Sequence, residues 1–374
     1  MTETTIVIVG AGIAGLATAL ALAPMGEVLV LERRGALASN EGAGIQIPPN
    51  AVKALATLGA AERVVDAAYR PAGLSVFSGT RPVTRLPYGS AFEARFGAPS
   101  LTTGRAALHR ALLDEVLNRP NVTVVADRPV ERVERTGDGW ILPGLGGAAR
   151  GARWLVAADG VNSAIRRSLR GEEPRDAGWV AWRGRGAGGR DTRLTDTGLT
   201  DTNLFMAPGA HLVRYAMAGG ESSGASNAVF IAPVGRSPSD DAPLRPALRS
   251  IEDWVPWPVK VHPRHVFDGD AVAYVGDAAH AMVPFLAQGA AMALEDAAML
   301  GLCAQRHGLT PDALVAYRTA RARRTRQVAD ASDQQGRIYH MRPPLSFARN
   351  AVMANVGASG ILRRVDWLFR WTPA

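Results

Sequence analysis

The feature that most constrains the fold of this chain is a glycine-rich turn that joins a β-branched run to an Ala/Leu-rich run near its start. Residues 6–9 are Ile-Val-Ile-Val, which predicts a buried strand, and residues 13–23 predict a helix that ends at Pro24. Residues 6–25 carry no charge and are long enough to cross a bilayer. The glycines, the proline and the lack of a basic leading segment favour a strand–turn–helix unit over a membrane span or a signal peptide.

Gly10, Gly12 and Gly15 have the G-x-G-x-x-G spacing of a dinucleotide-binding turn. The first glycine permits the tight turn, the second lets the backbone approach a pyrophosphate, and the third lets the helix pack closely on the sheet. Glu32 ends the predicted second strand, residues 27–32, where a carboxylate accepts both ribose hydroxyls. An acidic side chain there argues against a 2′-phosphate, so the site favours FAD or NAD over NADP.

The remaining pattern predicts an α/β protein with an inserted antiparallel sheet. A length of 374 residues suits two domains or one large domain with an insert. Residues 176–270 contain period-2 segments separated by turn residues, which predicts an antiparallel substrate domain. It would interrupt a nucleotide-binding domain formed by residues 1–175 and 271–340, with a helical tail at 341–374. The predicted helices are 50–58 and 105–117, and the predicted strands are 121–126, 140–142, 154–158, 179–183, 211–217, 228–233 and 271–275.

Composition excludes several classes of protein. Hydrophobic residues make up 47% and charged residues 20%, which excludes a disordered chain. The single cysteine, Cys303, excludes a disulfide framework and a structural zinc or iron–sulfur site, indicates core packing, and favours a cytoplasmic location. The net charge is +8, and all the basic residues except Lys53 and Lys260 are arginine. Codon bias or attraction of anionic ligands explains this excess of arginine. No nucleic-acid-binding module is visible.

Two further motifs accompany the glycine turn. Residues 156–163, Val-Ala-Ala-Asp-Gly-Val-Asn-Ser, follow a predicted strand. Residues 274–284, Tyr-Val-Gly-Asp-Ala-Ala-His-Ala-Met-Val-Pro, predict a strand and a tight turn, followed by a helix that begins near 288–290. Asp277 would end that strand at the carboxyl edge of the sheet, where ligands of doubly wound folds bind.

With Arg105-x-x-Leu108-x-x-x-Leu112, these motifs stand in the order and spacing of one family. The chain resembles the class A flavoprotein monooxygenases, the single-component FAD aromatic hydroxylases related to p-hydroxybenzoate hydroxylase. Residues 42–50 and 284–297 are most similar to salicylate, 3-hydroxybenzoate and 6-hydroxynicotinate hydroxylases. The resemblance implies a Rossmann-like FAD-binding domain of the glutathione-reductase type.

The resemblance also implies the chemistry. FAD would be reduced by NADH or NADPH acting as a transient co-substrate, without a separate domain for it. A flavin C4a-hydroperoxide formed with molecular oxygen would then hydroxylate a small phenolic or heteroaromatic substrate, preferably a carboxylated one. The cofactor-binding residues implied are Gly10, Gly12, Ala14, Gly15, Glu32, Arg33, Gly44, Arg105, Asp159, Asp277, Gly289 and Ala290. Pro284 would lie against the flavin and face the substrate.

The inserted sheet offers the candidate catalytic pair. Strand alternation places His211 and Tyr215 on one face and Arg214 on the other. The pair beside the substrate ring would remove its hydroxyl proton, or else it is core packing. The same alternation places Arg183 on a face with Trp179, where it would bind a substrate carboxylate bidentately, or form an ion pair or a contact on the FAD side. His280 is predicted to be structural, and His262 and His265 have no neighbours suited to a metal site.

Other functions stay open at this stage. The first alternative is a tailoring or inactivating flavin monooxygenase that acts on a larger polyketide or antibiotic-like molecule. A flavin oxidase or reductase and a non-enzymatic flavin-binding protein are less favoured. The basic, aromatic segment 361–371 would dock on its own domain, with a membrane surface or a partner subunit as the minority alternative. The expected assembly is a monomer or a homodimer.

Overall fold

The computed structural model describes residues 6–37, 43–137, 139–143, 152–186, 200–218, 226–269 and 271–374. The segment 42–50, which resembles the family, begins at residue 42, and that residue lies outside the described part of the chain. The strands are β1 Ile6–Val9, β2 Val28–Leu31, β3 Gly44–Ile47, β4 Gly73–Ser78, β5 Arg81–Pro87, β6 Leu101–Gly104, β7 Val122–Val125, β8 Glu134–Thr136, β9 Gly139–Ile141, β10 Trp154–Ala157, β11 Arg175–Gly186, β12 Thr202–Ala207, β13 Ala210–Ala216, β14 Ser226–Pro233, β15 Ile251–Val261, β16 Asp268–Gly269 and β17 Val272–Tyr274.

The helices alternate with these strands in the first half of the chain and dominate its end. They are α1 Ile13–Leu22, α2 Pro49–Thr57, α3 Ala61–Asp66, α4 Ser90–Phe96, α5 Arg105–Leu117, α6 Ala164–Arg170, α7 Arg245–Leu248, α8 Asp277–His280, α9 Gly289–His307, α10 Pro311–Tyr339, α11 Leu345–Arg364 and α12 Asp366–Phe369. Short 3₁₀ turns occur at Ala23–Met25, Pro238–Asp240 and Ala242–Leu244.

A six-stranded sheet carries the nucleotide-binding turn, with strand order β16-β17-β10-β1-β2-β7. The strand β1 pairs in parallel with both β10 and β2, and all four of its residues are buried. β-branched residues suit a strand that is covered on both faces. The turn after β1 therefore opens at the carboxyl edge of the sheet, where the strand order reverses.

A seven-stranded sheet forms the second layer, with strand order β15-β11-β14-β13-β12-β4-β5. Its central pairs are antiparallel, as the period-2 pattern predicts, whereas β12 pairs in parallel with β4. The strands β4 and β5 come from the first part of the chain, so this sheet extends beyond residues 176–270. The inserted segment is completed by a hairpin that the chain makes some 120 residues earlier.

The C-terminal stretch docks on its own chain, as predicted. Leu368 is 1% exposed, and Arg95 forms a bidentate ion pair with Asp366. The ammonium group of Lys53 donates to the backbone carbonyl oxygens of Phe96 and Phe369. Within the described part of the chain, no helix combines the length and apolar character needed to cross a membrane.

Candidate active site

Gly10 and Gly15 shape the turn after β1 through close backbone packing. Gly10 has a φ of +104°, and a Cβ added to it would lie 2.5 Å from the carbonyl oxygen of Ala158. A Cβ on Gly15 would lie 1.8 Å from the carbonyl oxygen of Gly10. Gly12, in contrast, has no neighbouring atom within 4 Å of that position. The two outer glycines therefore build the turn, and the middle one keeps it open.

The N-terminus of α1 points its free donors at this opening. The first hydrogen bond of the helix runs from the N–H of Leu16 to the carbonyl of Gly12 over 2.9 Å, so the N–H groups of residues 13–15 have no helical acceptor. No side chain caps this end and its first turn holds no acidic residue. Such an end favours an anion.

Glu32 is fixed beside the same turn. Its Oε2 accepts a hydrogen bond from the N–H of Ala11 over 2.8 Å, and its Oε1 accepts one from the N–H of Arg34 over 3.0 Å. Arg33 is exposed next to it. The carboxylate thus stands at the end of β2, where the sequence places a ribose-binding acid.

A cavity of about 630 Å³ runs from the glycine turn to the seven-stranded sheet. Eleven of the predicted site residues line it: Gly12, Ala14, Gly44, Arg105, Arg183, His211, Tyr215, Asp277, Pro284, Gly289 and Ala290. Five others lie beside it without lining it: Gly10, Gly15, Glu32, Arg33 and Asp159. The fold therefore gathers residues separated by nearly 280 positions around one space.

A second helix N-terminus meets the cavity at α9, which begins at the predicted position. Its first hydrogen bond runs from the N–H of Met292 to the carbonyl of Gln288 over 2.8 Å, which leaves the N–H groups of residues 289–291 free of the helical ladder. The side chain of Gln288 is fixed by Asn50, whose amide nitrogen donates to Oε1 of Gln288 over 3.1 Å and to Glu295 over 2.8 Å.

The turn that presents Asp277 is anchored on a buried carboxylate. Asp296 accepts a hydrogen bond from the N–H of Gly276 over 2.9 Å, lies 2.5 Å from Nε2 of His280, and accepts one from Arg321 over 2.7 Å. Burial raises the pKa of Asp296, but the charges of His280 and Arg321 outweigh that effect and hold it below 3.8. His280 is thus part of this anchor, as predicted, and does not line the cavity.

The carboxylate of Asp159 is hydrogen-bonded within the turn that follows it. Its Oδ2 accepts a hydrogen bond from the N–H of Ile165 over 3.2 Å, and burial raises its pKa. The neighbouring Gly160 and Val161 line the cavity instead. The motif therefore contributes to the cavity wall through the residues on either side of the aspartate, Ala158 before it and Gly160 and Val161 after it.

The predicted alternation along β13 is confirmed. His211, Val213 and Tyr215 line the cavity, whereas Arg214 turns away and donates to the carbonyl of Ala247 and to Ser250, each over 3.1 Å. Both aromatic side chains are buried, with 1% of His211 and 2% of Tyr215 exposed. Burial raises the pKa of Tyr215 well above 10, so the phenol stays protonated.

His211 stands in a cluster of rings that the sequence does not reveal. Its Nδ1 lies 2.9 Å from Nε2 of His340, and its ring centroid lies 5.2 Å from that of Tyr339 and 5.7 Å from that of Phe285. Burial, and then the neighbouring His340, lower the pKa of His211 well below 6.5. The imidazole is therefore neutral near pH 7. Tyr339 ends a 29-residue helix and His340 follows it directly, and no local pattern marks either as a site residue.

Arg183 contacts the cavity from β11. Its guanidinium carbon lies 4.5 Å from the ring centroid of Trp257, in a cation–π arrangement. Trp257 and Lys260 on β15 line the same wall.

The far end of the cavity is mostly apolar. Its apolar lining comes from the seven-stranded sheet and from the C-terminal stretch that holds the two last helices: Leu74, Leu86, Leu204, Met353, Ile361, Leu362, Val365, Leu368 and Phe369. Tyr88, Gln335 and Arg364 also line the cavity. Among the described residues, no group of three or more metal-binding side chains occurs. The site thus offers anion-binding backbone at one end and an apolar chamber with a neutral imidazole at the other.

Comparison with known proteins gives a consistent match. The family model described as "FAD binding domain" matches residues 3–332. The chain is 30% identical to a 3-hydroxybenzoate 6-hydroxylase of Klebsiella oxytoca, over 98% of this chain and 96% of that protein. It is 32% identical to a 3-amino-4-hydroxybenzoate 2-monooxygenase of Streptomyces cremeus, over 90% and 88% of the two chains.

A solved structure has the same fold. A point variant of HpxO from Klebsiella pneumoniae, complexed with FAD, superposes with a TM-score of 0.84 at 23% identity and covers 98% of both chains. The agreement extends over both sheets and the C-terminal helices, since almost no part of either chain is left out.

Proposed function

The chain belongs to the FAD-binding-domain family of class A flavoprotein aromatic hydroxylases, and on that premise we propose that it hydroxylates a small phenolic or heteroaromatic acid. It is an FAD-dependent monooxygenase that uses NAD(P)H and molecular oxygen. The relatives named above act on hydroxybenzoates, which supports a hydroxylated aromatic carboxylate as the substrate class.

The residues around the cavity fit FAD. Two uncapped helix N-termini, α1 and α9, face the same space, and each favours negative charge. We assign the pyrophosphate to the backbone at Gly12 and Ala14 with Arg105, the ribityl hydroxyls to Asp277, and the adenosine ribose to Glu32. Bound FAD supplies the redox chemistry, in which a hydride is taken from NAD(P)H and oxygen is activated.

The α9 end holds the other part of the cofactor. The N–H groups of Gly289 and Ala290 would donate to the flavin pyrimidine ring, where charge develops on reduction. Gln288 and Asn50 keep this end in place through their hydrogen bond. Gly10 and Gly15 shape the cradle, and Gly44 lines the cavity from β3. Arg33 and Asp159 are assigned to the cofactor side as neighbours of Glu32 and Gly160 in the chain.

The observation that carries the proposal is the neutral, buried His211 on the cavity wall, on the strand face that also carries Tyr215. A phenol is a better nucleophile once its proton has been removed, and a neutral imidazole can accept that proton. Since Nδ1 of His211 is engaged with His340, Nε2 is the nitrogen available to a substrate. Phe285 and Pro284 line the same chamber, where apolar surface would help to keep water from the reacting atoms.

Arg183 is the proposed partner of a substrate carboxylate. It lines the cavity from the strand next to β14, and its stacking on Trp257 holds the guanidinium in one orientation. A charge-assisted hydrogen bond contributes about 1.5–3 kcal/mol. Replacing Arg183 by Leu should therefore weaken binding of a hydroxybenzoate about tenfold or more and leave binding of the matching benzamide within about threefold.

A second candidate substrate is a larger molecule, as a tailoring or inactivating monooxygenase would use. The apolar end of the cavity favours it, because a single ring beside His211 leaves the chamber walled by Leu204, Met353 and Leu362 unfilled. Met353→Trp would narrow that chamber. It should exclude an extended substrate and leave a one-ring substrate unaffected, which separates the two candidates.

The direct test is a substrate panel with the purified protein. Flavin absorbance should accompany the polypeptide, and NAD(P)H consumption should be stimulated by hydroxylated aromatics with a hydroxylated product formed in equal amount. Stimulation that yields only hydrogen peroxide from every compound would contradict the proposed hydroxylation and favour an oxidase.

We further infer the location, the class of binding partner, the assembly and the domains of the enzyme. The single cysteine, which is buried and unpaired, supports a cytoplasmic location, and the concave site supports a small-molecule partner rather than a nucleic acid. A monomer or a homodimer is the proposed assembly. The proposed domains are residues 1–175 with 271–340 for FAD, 176–270 for substrate, and the tail 341–374.

A further inference from the structure

We propose that His340 relays the substrate proton from His211 to solvent, and so acts as a positioning and proton-transfer partner for the proposed base. The inference rests on the proposed function, since it concerns the proton of a substrate hydroxyl. It starts from the 2.9 Å contact between Nδ1 of His211 and Nε2 of His340.

The contact fixes how protons are distributed between the two rings. One of the two nitrogens must carry hydrogen and the other must be bare. If the hydrogen is on Nδ1 of His211, its Nε2 is bare and can accept a proton from the cavity. His340 then accepts at Nε2 and carries its own hydrogen at Nδ1.

The exit from the chamber runs through this pair because, among the described residues, His340 is the side chain within hydrogen-bond distance of the His211 imidazole, whereas Phe285 and Tyr339 contact it by ring packing. The rings packed against it are Phe285 and Tyr339, and burial raises the pKa of Tyr339 to about 12. His211 itself is 1% exposed, whereas His340 is partly exposed. His340 is therefore a partly exposed polar group in direct hydrogen-bond contact with the buried base.

The surroundings of His340 disfavour its protonated form. Burial, together with the positive charges of Arg236 and Arg349, lowers its pKa to about 4. Its ring is held by stacking on Trp179, with centroids 4.7 Å apart, and by the edge of Phe285. A ring that is fixed in place and disfavours charge passes a proton on instead of storing it.

The transfer balances without any other reactant. The substrate O–H bond breaks as Nε2 of His211 gains the proton, and the hydrogen on Nδ1 of His211 passes to Nε2 of His340. The hydrogen on Nδ1 of His340 leaves to water. The substrate remains as a phenolate, and both imidazoles stay neutral with exchanged tautomers.

The experiment compares His340→Gln with His340→Phe in the FAD-loaded protein, with His307→Gln, an exposed histidine on α9, as the control. Glutamine keeps a hydrogen bond to His211 but cannot pass a proton through. A phenolic ligand, 3-hydroxybenzoate, is mixed with each protein in weak buffer without NAD(P)H. A pH-indicator dye follows proton release while absorbance follows phenolate formation.

We expect His340→Gln to bind the ligand within about threefold of the wild type and to release the proton at least about tenfold more slowly. His307→Gln should match the wild type. Release at the wild-type rate in His340→Gln would overturn the relay. Equal loss of affinity in His340→Gln and His340→Phe would also overturn it, since that marks a purely structural role.

A second measurement needs no substrate and separates the two proposals. ¹⁵N spectra of histidine-labelled protein should show the hydrogen of His211 on Nδ1, and this signal should shift in His340→Phe. A hydrogen on Nε2 of His211 would overturn the relay whatever the substrate is. The expected spectrum, together with a panel in which no phenol binds, would overturn the proposed function and support the pairing.

Discussion

The backbone N–H of Gly44 donates a 2.7 Å hydrogen bond to Oδ1 of Asn227, which ties β3 to the seven-stranded sheet. Asn227 stands opposite Tyr215 in the β13–β14 register. A Cβ on Gly44 would lie 2.6 Å from Asn227 and 2.8 Å from the Tyr215 ring. The strand β3 can therefore approach the cavity wall that carries Tyr215 only because residue 44 has no side chain.

Gly44→Ala should therefore destabilise the protein and lower its FAD content. We expect a loss of about 1–3 kcal/mol, because overpacking forces buried side chains out of their preferred positions. Thermal unfolding and the ratio of flavin to protein absorbance measure the two effects. The control is Gly89→Ala, where a Cβ meets no atom within 4 Å. Equal behaviour of the two variants would contradict the close contact.

Arg105→Ala should weaken FAD binding without unfolding the protein. Arg105 lines the cavity and forms none of the ion pairs found among the described residues, so its charge is available to a phosphate. A charged hydrogen bond contributes about 1.5–3 kcal/mol, which corresponds to a Kd raised roughly tenfold or more. Arg110→Ala, an exposed change on the same helix, should leave the Kd of FAD unchanged in the same titration.

Asp296→Asn should destabilise the protein by about 3–5 kcal/mol, because it leaves Arg321 buried beside a neutral amide. The difference in unfolding free energy between the wild type and this variant should depend on pH. The pKa of Asp296 lies below 3.8 in the folded protein, so its stabilising effect is complete above that value and is lost as the pH falls through the folded pKa.

Urea unfolding at several pH values measures this effect, and the gap between wild type and variant should narrow below about pH 4. Asp312→Asn, an exposed change at the start of α10, should show no comparable gap. A gap of constant size at all pH values would mean that the carboxylate is not ionised in the folded protein.

His211→Gln should slow hydroxylation far more than flavin reduction. General base catalysis contributes about 10²–10⁴ to a rate, so we expect at least about a hundredfold loss in the hydroxylation step of single-turnover experiments. Because the pKa of His211 lies well below 6.5, the wild-type rate should show no acid limb centred at pH 6.5 and should fall only under more acidic conditions. An acid limb centred at pH 6.5 would show that His211 is not buried as described.

The sequence predicts the cofactor side of this molecule better than the substrate side, for a physical reason. The glycine turn, Glu32 and the start of α9 are local patterns, in which backbone geometry depends on neighbouring residues. Gly10 and Gly15 are confirmed as turn-building and packing glycines, although only Gly12 of the three lines the cavity.

The substrate wall depends on contacts between distant segments. Strand alternation predicts that His211 and Tyr215 share a face, but nothing near residue 211 indicates that His340 meets it from the end of a long helix. In the same way, β4 joins the seven-stranded sheet by pairing with β12 across more than 120 residues of chain. Such pairings are set by the packing of the whole chain.

The apolar chamber is walled by Met353, Leu362 and Phe369, which all lie in the last 25 residues, whereas the glycine cradle lies within the first 15. Selection for a new substrate can therefore act on the tail of the gene and leave the glycine cradle encoded at its front intact. Related genes that diverge most in this final stretch would be expected to differ first in the compounds they oxidise and only later in how they oxidise them.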